Sequence, residues 1–280
     1  MKRNSITFRF TSKKITANQF TFVDLCAGIG GMRLAFENLG GRCVLSSEWN
    51  EFCQNTYYEN FGEIPYGDIT KIPINKIPSH DILIAGFPCQ PFSKGGVSTR
   101  KKLNRKNGFA DKTQGNIFFH IAKIIEKKKP KAILLENVPQ LERMDGGKVL
   151  QTILNILCKA GYTTNYKVIN SETIVPQRRQ RIYIVGFRSK VIFEFPKLPN
   201  LEPKLKNILE DKVSQKYTLS NNLWVWLQKH AKKHALKGNG YGYRLADHNK
   251  TTCTLSARYG KDGSEILIPQ KGKNPRKLTP

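Results

Sequence analysis

A chain of 280 residues, 39% of them hydrophobic, is long enough for one large domain plus a smaller one and apolar enough for a folded core, which excludes a disordered protein. Its 47 Lys and Arg against 21 Asp and Glu leave a net charge of +26, too large an excess for an ordinary solvated face, and such a field favours a polyanion, most commonly a nucleic-acid duplex. With no apolar run near the ~20 residues of a membrane span, no Lys/Arg-rich amphipathic helix, no continuous hydrophobic segment in residues 1–20 and six scattered cysteines without C-x-x-C or His/Cys spacing, the reading is a cytoplasmic protein with no membrane partner, no metal and no disulfide framework.

Residues 1–19 read as an N-terminal extension. From Phe20 to about Phe187, short β-rich runs alternate with helical patterns, and residues 20–189 read as the larger domain. Strands are expected at Thr21 to Cys26, Cys43 to Ser47, Asp81 to Ala85, Ala132 to Glu136, Thr164 to Asn170 and Arg181 to Phe187. Between them, apolar residues at three- and four-residue spacing predict helices at Gly31 to Leu39, Asn50 to Phe61, Ile117 to Lys128 and Lys148 to Ala160. The alternation argues for βαβ units, a mainly parallel sheet and a doubly wound α/β architecture, whose ligands bind at the carboxyl ends of the strands. Near residue 190 the character changes, with Pro196, Pro199 and Pro203 punctuating a Lys-rich stretch. Residues 190–272 then read as a smaller, irregular domain with one helix around Leu219 to Leu236, and residues 273–280 as the start of a return to the first domain.

Gly28-Ile29-Gly30-Gly31 follows the first strand and opens a helix, so the backbone can turn tightly and leave room for a ligand. The third glycine of a dinucleotide fingerprint is replaced by Arg33, which disfavours a pyrophosphate. Glu48, twenty residues beyond Gly28 at the end of the second strand, is placed to accept hydrogen bonds from ribose hydroxyls, and a nucleoside without a pyrophosphate fits both facts. After the third strand, Gly86-Phe87-Pro88-Cys89-Gln90-Pro91-Phe92-Ser93 puts one cysteine in a proline-bracketed turn at the sheet's rim. A lone cysteine is more often a packed small hydrophobe, and Gln177-x-Arg179-x-Arg181 by itself reads as a surface basic cluster.

Taken together, these segments resemble the DNA cytosine-5 methyltransferases of bacterial restriction-modification systems. Gly86 to Ser93 resembles the motif of the nucleophilic cysteine, Phe22-Val-Asp24-Leu-Cys26-Ala27-Gly28-Ile29-Gly30-Gly31 the cofactor loop, Glu136-Asn137-Val138 the cytosine-binding motif, and Gln177-Arg178-Arg179-Gln180-Arg181 the arginine motif. The likeness runs in the family's order from about Phe20 to the last residue. It implies a Rossmann-like domain that uses S-adenosylmethionine, held by the Gly loop with Asp24, by Glu48-Trp49 on the ribose, by Asp68-Ile69 near the adenine and by Pro88. Cys26 departs from the family's usual Phe, whose ring stacks on the adenine. The resemblance makes Cys89 the nucleophile, Glu136 the acid at ring nitrogen 3, and Arg181, supported by Arg179, the cation at the carbonyl oxygen. The base would be flipped out of duplex DNA, with Lys94 to Lys112 as a basic loop closing over it.

DNA contacts are expected from Gln90, Ser93, Lys94, Arg100 and Gln177, and from Thr254, Arg258 and Tyr259 in a recognition-domain core. The end at Arg276 to Pro280 resembles the opening of the family's ninth motif, which implies a truncated chain, or one subunit of a split enzyme completed by a second polypeptide. Two rival readings are a catalytically silent DNA-binding remnant and an RNA cytosine-5 methyltransferase.

Overall fold

A computed structural model of the chain describes residues 20–88, 116–239, 242–256, 259–261 and 263–279. Cys89, Gln90, Ser93, the basic stretch from Lys94 to Lys112 with Arg100 in it, and Arg258 lie outside the described residues.

The described chain divides into two units, the first holding residues up to 168 together with 181–195, and the second holding 169–180 together with 196–280. Thus the Gln177 to Gln180 part of the arginine motif groups with the second unit, while Arg181, the second residue of the strand Gln180–Phe187, groups with the first.

In the first unit a six-stranded sheet has the order β2, β1, β3, β4, β7, β5. These strands are β1 (Phe20–Leu25), β2 (Gly41–Ser47), β3 (Ile82–Gly86), β4 (Ala132–Asn137), β5 (Thr163–Asn170) and β7 (Gln180–Phe187). β1 pairs in parallel with β2 and β3, and β3 with β4, but β7 runs antiparallel to β4. The sheet is therefore mixed. Because β7 is reversed, its first residues reach the same sheet edge as the carboxyl ends of β1, β3 and β4, a placement a parallel strand would not give.

Period-two alternation explains the core. Val23, Leu25, Leu83, Ala85, Ile133, Leu135, Ile182 and Ile184 are buried together with Phe118, Ile121, Ile124 and Ile125 of α3 (Asn116–Lys128) and Val149, Leu150, Ile153 and Leu157 of α4 (Lys148–Lys159). On the other face Phe36 of α1 (Gly31–Glu37) meets the rings of Phe20 and Phe22 at 6.1 and 5.4 Å, and Tyr57 and Phe61 of α2 (Glu51–Phe61) pack at 4.7 Å. α1 stops two residues short of the expected Leu39, and Asn50 stands outside α2 as its N-cap, accepting from the backbone N–H of Phe52 and Cys53.

The second unit has little regular structure. β6 (Gln177–Arg178) pairs in parallel with β8 (Thr252–Cys253), and β9 (Ile268–Gln270) pairs antiparallel with β10 (Lys273–Arg276). One long helix, α5 (Asn221–Leu236), is capped by the Ser220 hydroxyl, which accepts from Leu223 N–H at 3.3 Å, so Leu219 precedes it. Small apolar clusters around Leu205, Ile266 and Ile268 and around Leu219, Leu227 and Leu267 hold the unit together.

Candidate active site

Where β1, β2 and β3 end, a cavity of about 1030 Å³ opens. Its walls include Cys26, Glu48, Trp49, Asp68, Ile69 and Pro88, six of the residues expected at a cofactor. Asp24, Ala27, Gly28, Ile29, Gly30 and Gly31 are not among the lining residues. The Gly loop acts instead through its backbone: Gly28 N–H donates to Glu48 Oε2 at 2.8 Å, and Asn50 N–H donates to Oε1 at 2.9 Å. Two backbone donors from different elements thus aim one buried carboxylate. Gly30 has φ +87, and a Cβ there would stand 2.1 Å from the Phe61 ring, so this position requires glycine on both counts.

Asp24 is wholly buried, and neither carboxylate oxygen has a hydrogen-bond partner among the described residues. Burial pushes its carboxyl up to about 8, against the opposing pull of Arg33 and with reinforcement from Glu48 and Glu37. It is a sheet-core carboxyl beneath the loop rather than a wall of the cavity. Arg33 is buried beside it, donating from Nε to Glu37 at 2.7 Å and from Nη1 to Glu63 at 2.7 Å and to the Tyr57 hydroxyl at 3.1 Å, with its guanidinium 4.4 Å from the Phe61 ring centre.

Cys26 holds a left-handed backbone conformation, φ +55, and burial pushes its thiol far above the ordinary range, so it is a neutral, apolar part of the wall. Asp68 accepts at Oδ1 from Thr70 N–H at 2.9 Å and from the Thr70 hydroxyl at 2.8 Å. Burial raises its carboxyl, but these two bonds together with nearby charge, Lys71 first, offset that and leave it below the usual range.

The wall contributed by α3 escaped the sequence reading. Ile117, Phe119, His120 and Lys123 all line the cavity. A signal existed: Ile117, Phe118 and Phe119 are consecutive, and one helix face cannot bury all three. Phe118 enters the core, while Phe119 supplies the cavity with a ring that Cys26 cannot. His120 makes a backbone hydrogen bond with Ile69, yet its Nε2 is buried without a partner among the described residues. Burial, then the nearby Lys123, hold this imidazole below its ordinary value, so it is neutral near pH 7.

At the same sheet edge Arg181 Nε donates to Glu136 Oε1 at 2.8 Å, with both side chains only 17% and 22% exposed. β3 and β4 put Gly86 beside Glu136, and Asn137 Nδ2 donates to the Phe87 carbonyl at 3.2 Å, tying down the chain that leads into Pro88 and Cys89.

In the second unit the Thr254 hydroxyl donates to the Arg178 carbonyl at 2.8 Å, and Thr252 N–H donates to the Pro176 carbonyl at 2.9 Å, so the segment around Gln177 and Arg179 is joined to the strand that leads into Thr254. Tyr259 is engaged within the unit. Its hydroxyl donates to the Ile266 carbonyl at 2.6 Å and accepts from Leu278 N–H at 2.8 Å, and its ring packs on the cluster of Leu205, Ile266 and Ile268. Ring and hydroxyl of this half-buried side chain thus brace the unit's interior.

The family model of the C-5 cytosine-specific DNA methylases matches residues 20–280. The type II methyltransferase M.DsaV of Dactylococcopsis salina is 50% identical over 268 residues, which cover 94% of this chain and 74% of the relative. The type II methyltransferase M.NlaX of Neisseria lactamica is 48% identical, covering 93% of this chain and 82% of the relative. Among solved structures, the Entamoeba histolytica methyltransferase EhMeth superposes with a TM-score of 0.72 at 23% identity, covering 93% of this chain and 83% of that one. S. pombe Dnmt2 gives 0.70 at 16%, covering 93% and 84%, and these two likenesses bear out the Rossmann-like methyltransferase fold. The comparisons lend no support to a second polypeptide. No described helix is long and apolar enough to cross a membrane. With half its residues identical to a type II methyltransferase and the family model matched from Phe20 onward, the chain belongs to the C-5 cytosine-specific DNA methylases, the DNA cytosine-5 methyltransferases.

Proposed function

We propose that the protein methylates carbon 5 of a flipped-out cytosine in duplex DNA, using S-adenosylmethionine and a covalent bond from Cys89. The observation that carries this reading is the ion pair of Glu136 and Arg181 at the sheet edge where the cofactor-sized cavity opens and where the chain enters Cys89. The lining fits the cofactor. Glu48 offers an aimed carboxylate for ribose hydroxyls, Asp68 and the orphaned Nε2 of His120 offer an acceptor and a second polar atom for an adenine, and Ile69, Ile117 and Phe119 offer apolar faces. When bound, S-adenosylmethionine supplies an electrophilic methyl group.

Carbon 5 of cytosine is a poor nucleophile until a thiolate adds to carbon 6, and Cys89 supplies that thiolate. As the Cys89 sulfur bonds to carbon 6, electron density moves into the ring. Glu136 offers its carboxyl to ring nitrogen 3, and the Arg181 guanidinium opposes the charge that develops on the carbonyl oxygen. After carbon 5 is methylated its proton is lost to a base, the ring electrons return, and the carbon-sulfur bond breaks to release Cys89. The base must leave the stack for this, at a cost of about a few kcal/mol that contacts with the protein offset.

The test is transfer of labelled methyl from S-adenosylmethionine to duplex DNA by the purified chain, beside its Cys89→Ser variant. Transfer by the parent and none by the variant supports the reading. Undiminished transfer by Cys89→Ser rules out the covalent route.

A further inference from the structure

The second unit carries a surface that neither the cavity nor the Glu136 and Arg181 pair uses. Residues 212–246 contain no Asp or Glu at all, and α5 occupies the middle of that stretch. The inward side of the helix is accounted for: Leu227 is buried, Trp224 packs edge-on against Tyr243 at 4.6 Å, and Ala231 lies where a side chain on Gly242 would begin. The outward side holds Lys229, Lys232 and Lys233, followed just past the last turn by Lys237, all exposed. Among the described residues none of these four forms an ion pair.

Lys229, Lys233 and Lys237 follow one another at four-residue spacing, so their stems rise about 6 Å apart along one stripe. Like charges so placed disfavour a helix. The helix dipole compensates Lys233 and Lys237 near the last turn but leaves Lys229 uncompensated. Alongside runs a second stripe, Trp226 stacked on His230 at 4.8 Å and His230 against His234 at 4.3 Å, again without an acid. An ordinary solvated helix face mixes signs. A face of one sign, held together at some cost, is complementary to a regular polyanion.

We propose that the outward face of α5 is a sequence-independent binding surface for the phosphates of a DNA duplex, engaged through Lys229, Lys233 and Lys237. It rests on the DNA substrate proposed above and adds the location of a phosphate contact surface apart from the groove readers. Such contacts position the protein on DNA without carrying sequence information, and each phosphate neutralised releases counterions.

The test compares the full chain with K229Q/K233Q/K237Q and with a control of equal charge change, K76Q/K127Q/K159Q, on exposed positions of the first unit. Affinity for a random-sequence duplex is measured from 50 to 200 mM salt. The α5 triple is expected to flatten the slope of log K against log salt by about 2–3, at ~0.9 per phosphate lost, and the control by less than 1. Its unfolding midpoint should equal or exceed the parent's, since glutamine is a good helix former and the repulsion is gone. Equal slopes for the two triples would overturn the proposal while leaving DNA as substrate. An α5 triple that loses affinity for duplex RNA or an acidic protein, but keeps the parent's slope on DNA, would overturn it as well. A parent chain that binds no duplex would instead refute the DNA reading itself, and this surface with it.

Discussion

Asn137 donates from Nδ2 to the carbonyl oxygen of Phe87 at 3.2 Å while its own Oδ1 accepts from Val138 N–H at 2.8 Å, so one buried amide ties the end of β4 to the chain entering Cys89. Removing it strands a carbonyl and an N–H where only 1% of Asn137 is exposed. Asn137→Ala is expected to lower unfolding stability by about 1–3 kcal/mol in urea titrations. Asn137→Asp should do no better, because it sets an oxygen against the Phe87 carbonyl. In both variants methyl transfer should fall more than cofactor affinity, as read by single-turnover assay and by calorimetry. A fall in affinity alone would place Asn137 with the cavity instead.

The Glu136 and Arg181 pair gives a second prediction. Glu136→Gln keeps an oxygen that can accept from Arg181 Nε but can no longer exchange a proton at ring nitrogen 3. The variant should fold normally and bind duplex DNA, with transfer reduced about 10²- to 10⁴-fold. Arg181→Lys keeps the charge without the planar fork and should also lose transfer. Near-parental rates in single-turnover measurements on Glu136→Gln would remove Glu136 from the chemistry.

The strands of the first unit were legible because each is a short apolar run that ends in a turn signal, and the cavity's strand-end residues, Glu48 and Asp68 among them, were legible because they stand in register with the Gly loop. The reversal of β7 was not legible, since Arg181 to Phe187 alternates the same way in either direction. Nor were His120 and Lys123, because a helix pattern tells which residues face the core and is silent about which polar ones face a cavity. The internal partners of Tyr259 were not legible for a related reason: an aromatic residue in a basic, Gly-rich stretch reads as a groove contact, and its spacing is silent about the bonds its hydroxyl makes to Ile266 and Leu278.

Gly30→Ala tests the loop. The new Cβ would stand 2.1 and 2.7 Å from two atoms of the Phe61 ring, on a backbone at φ +87. The left-handed conformation alone costs a non-glycine residue about 1–2 kcal/mol, and the ring must also give way. Because Gly28 N–H and Glu48 share a hydrogen bond, the displaced loop should weaken cofactor binding as well as stability. Gly28→Ala, whose Cβ meets nothing within 4 Å, should suffer only the backbone cost. Equal losses in the two variants, measured by thermal unfolding and by titration with S-adenosylhomocysteine, would contradict the steric part of the argument.

Asp24 gives stability a pH dependence of unusual sign for a carboxylate. Burial raises its carboxyl from 3.8 to about 8, so the folded protein keeps a proton that the unfolded chain has already released. The unfolded state then binds fewer protons than the native one, and stability falls as pH rises through that interval. The contribution is full below about pH 4 and declines until the pH passes 8, where Asp24 is a buried anion with no hydrogen-bond partner among the described residues. Asp24→Asn resembles the protonated side chain and does not titrate. Its urea midpoint should track the parent's below about pH 4, exceed it increasingly from pH 4 to 8 and hold a constant lead above that. Parallel curves for the two proteins over that range would mean that Asp24 is ionised in the native core, and that Arg33, the one cation among the charges that shift it, outweighs the cost of burying it.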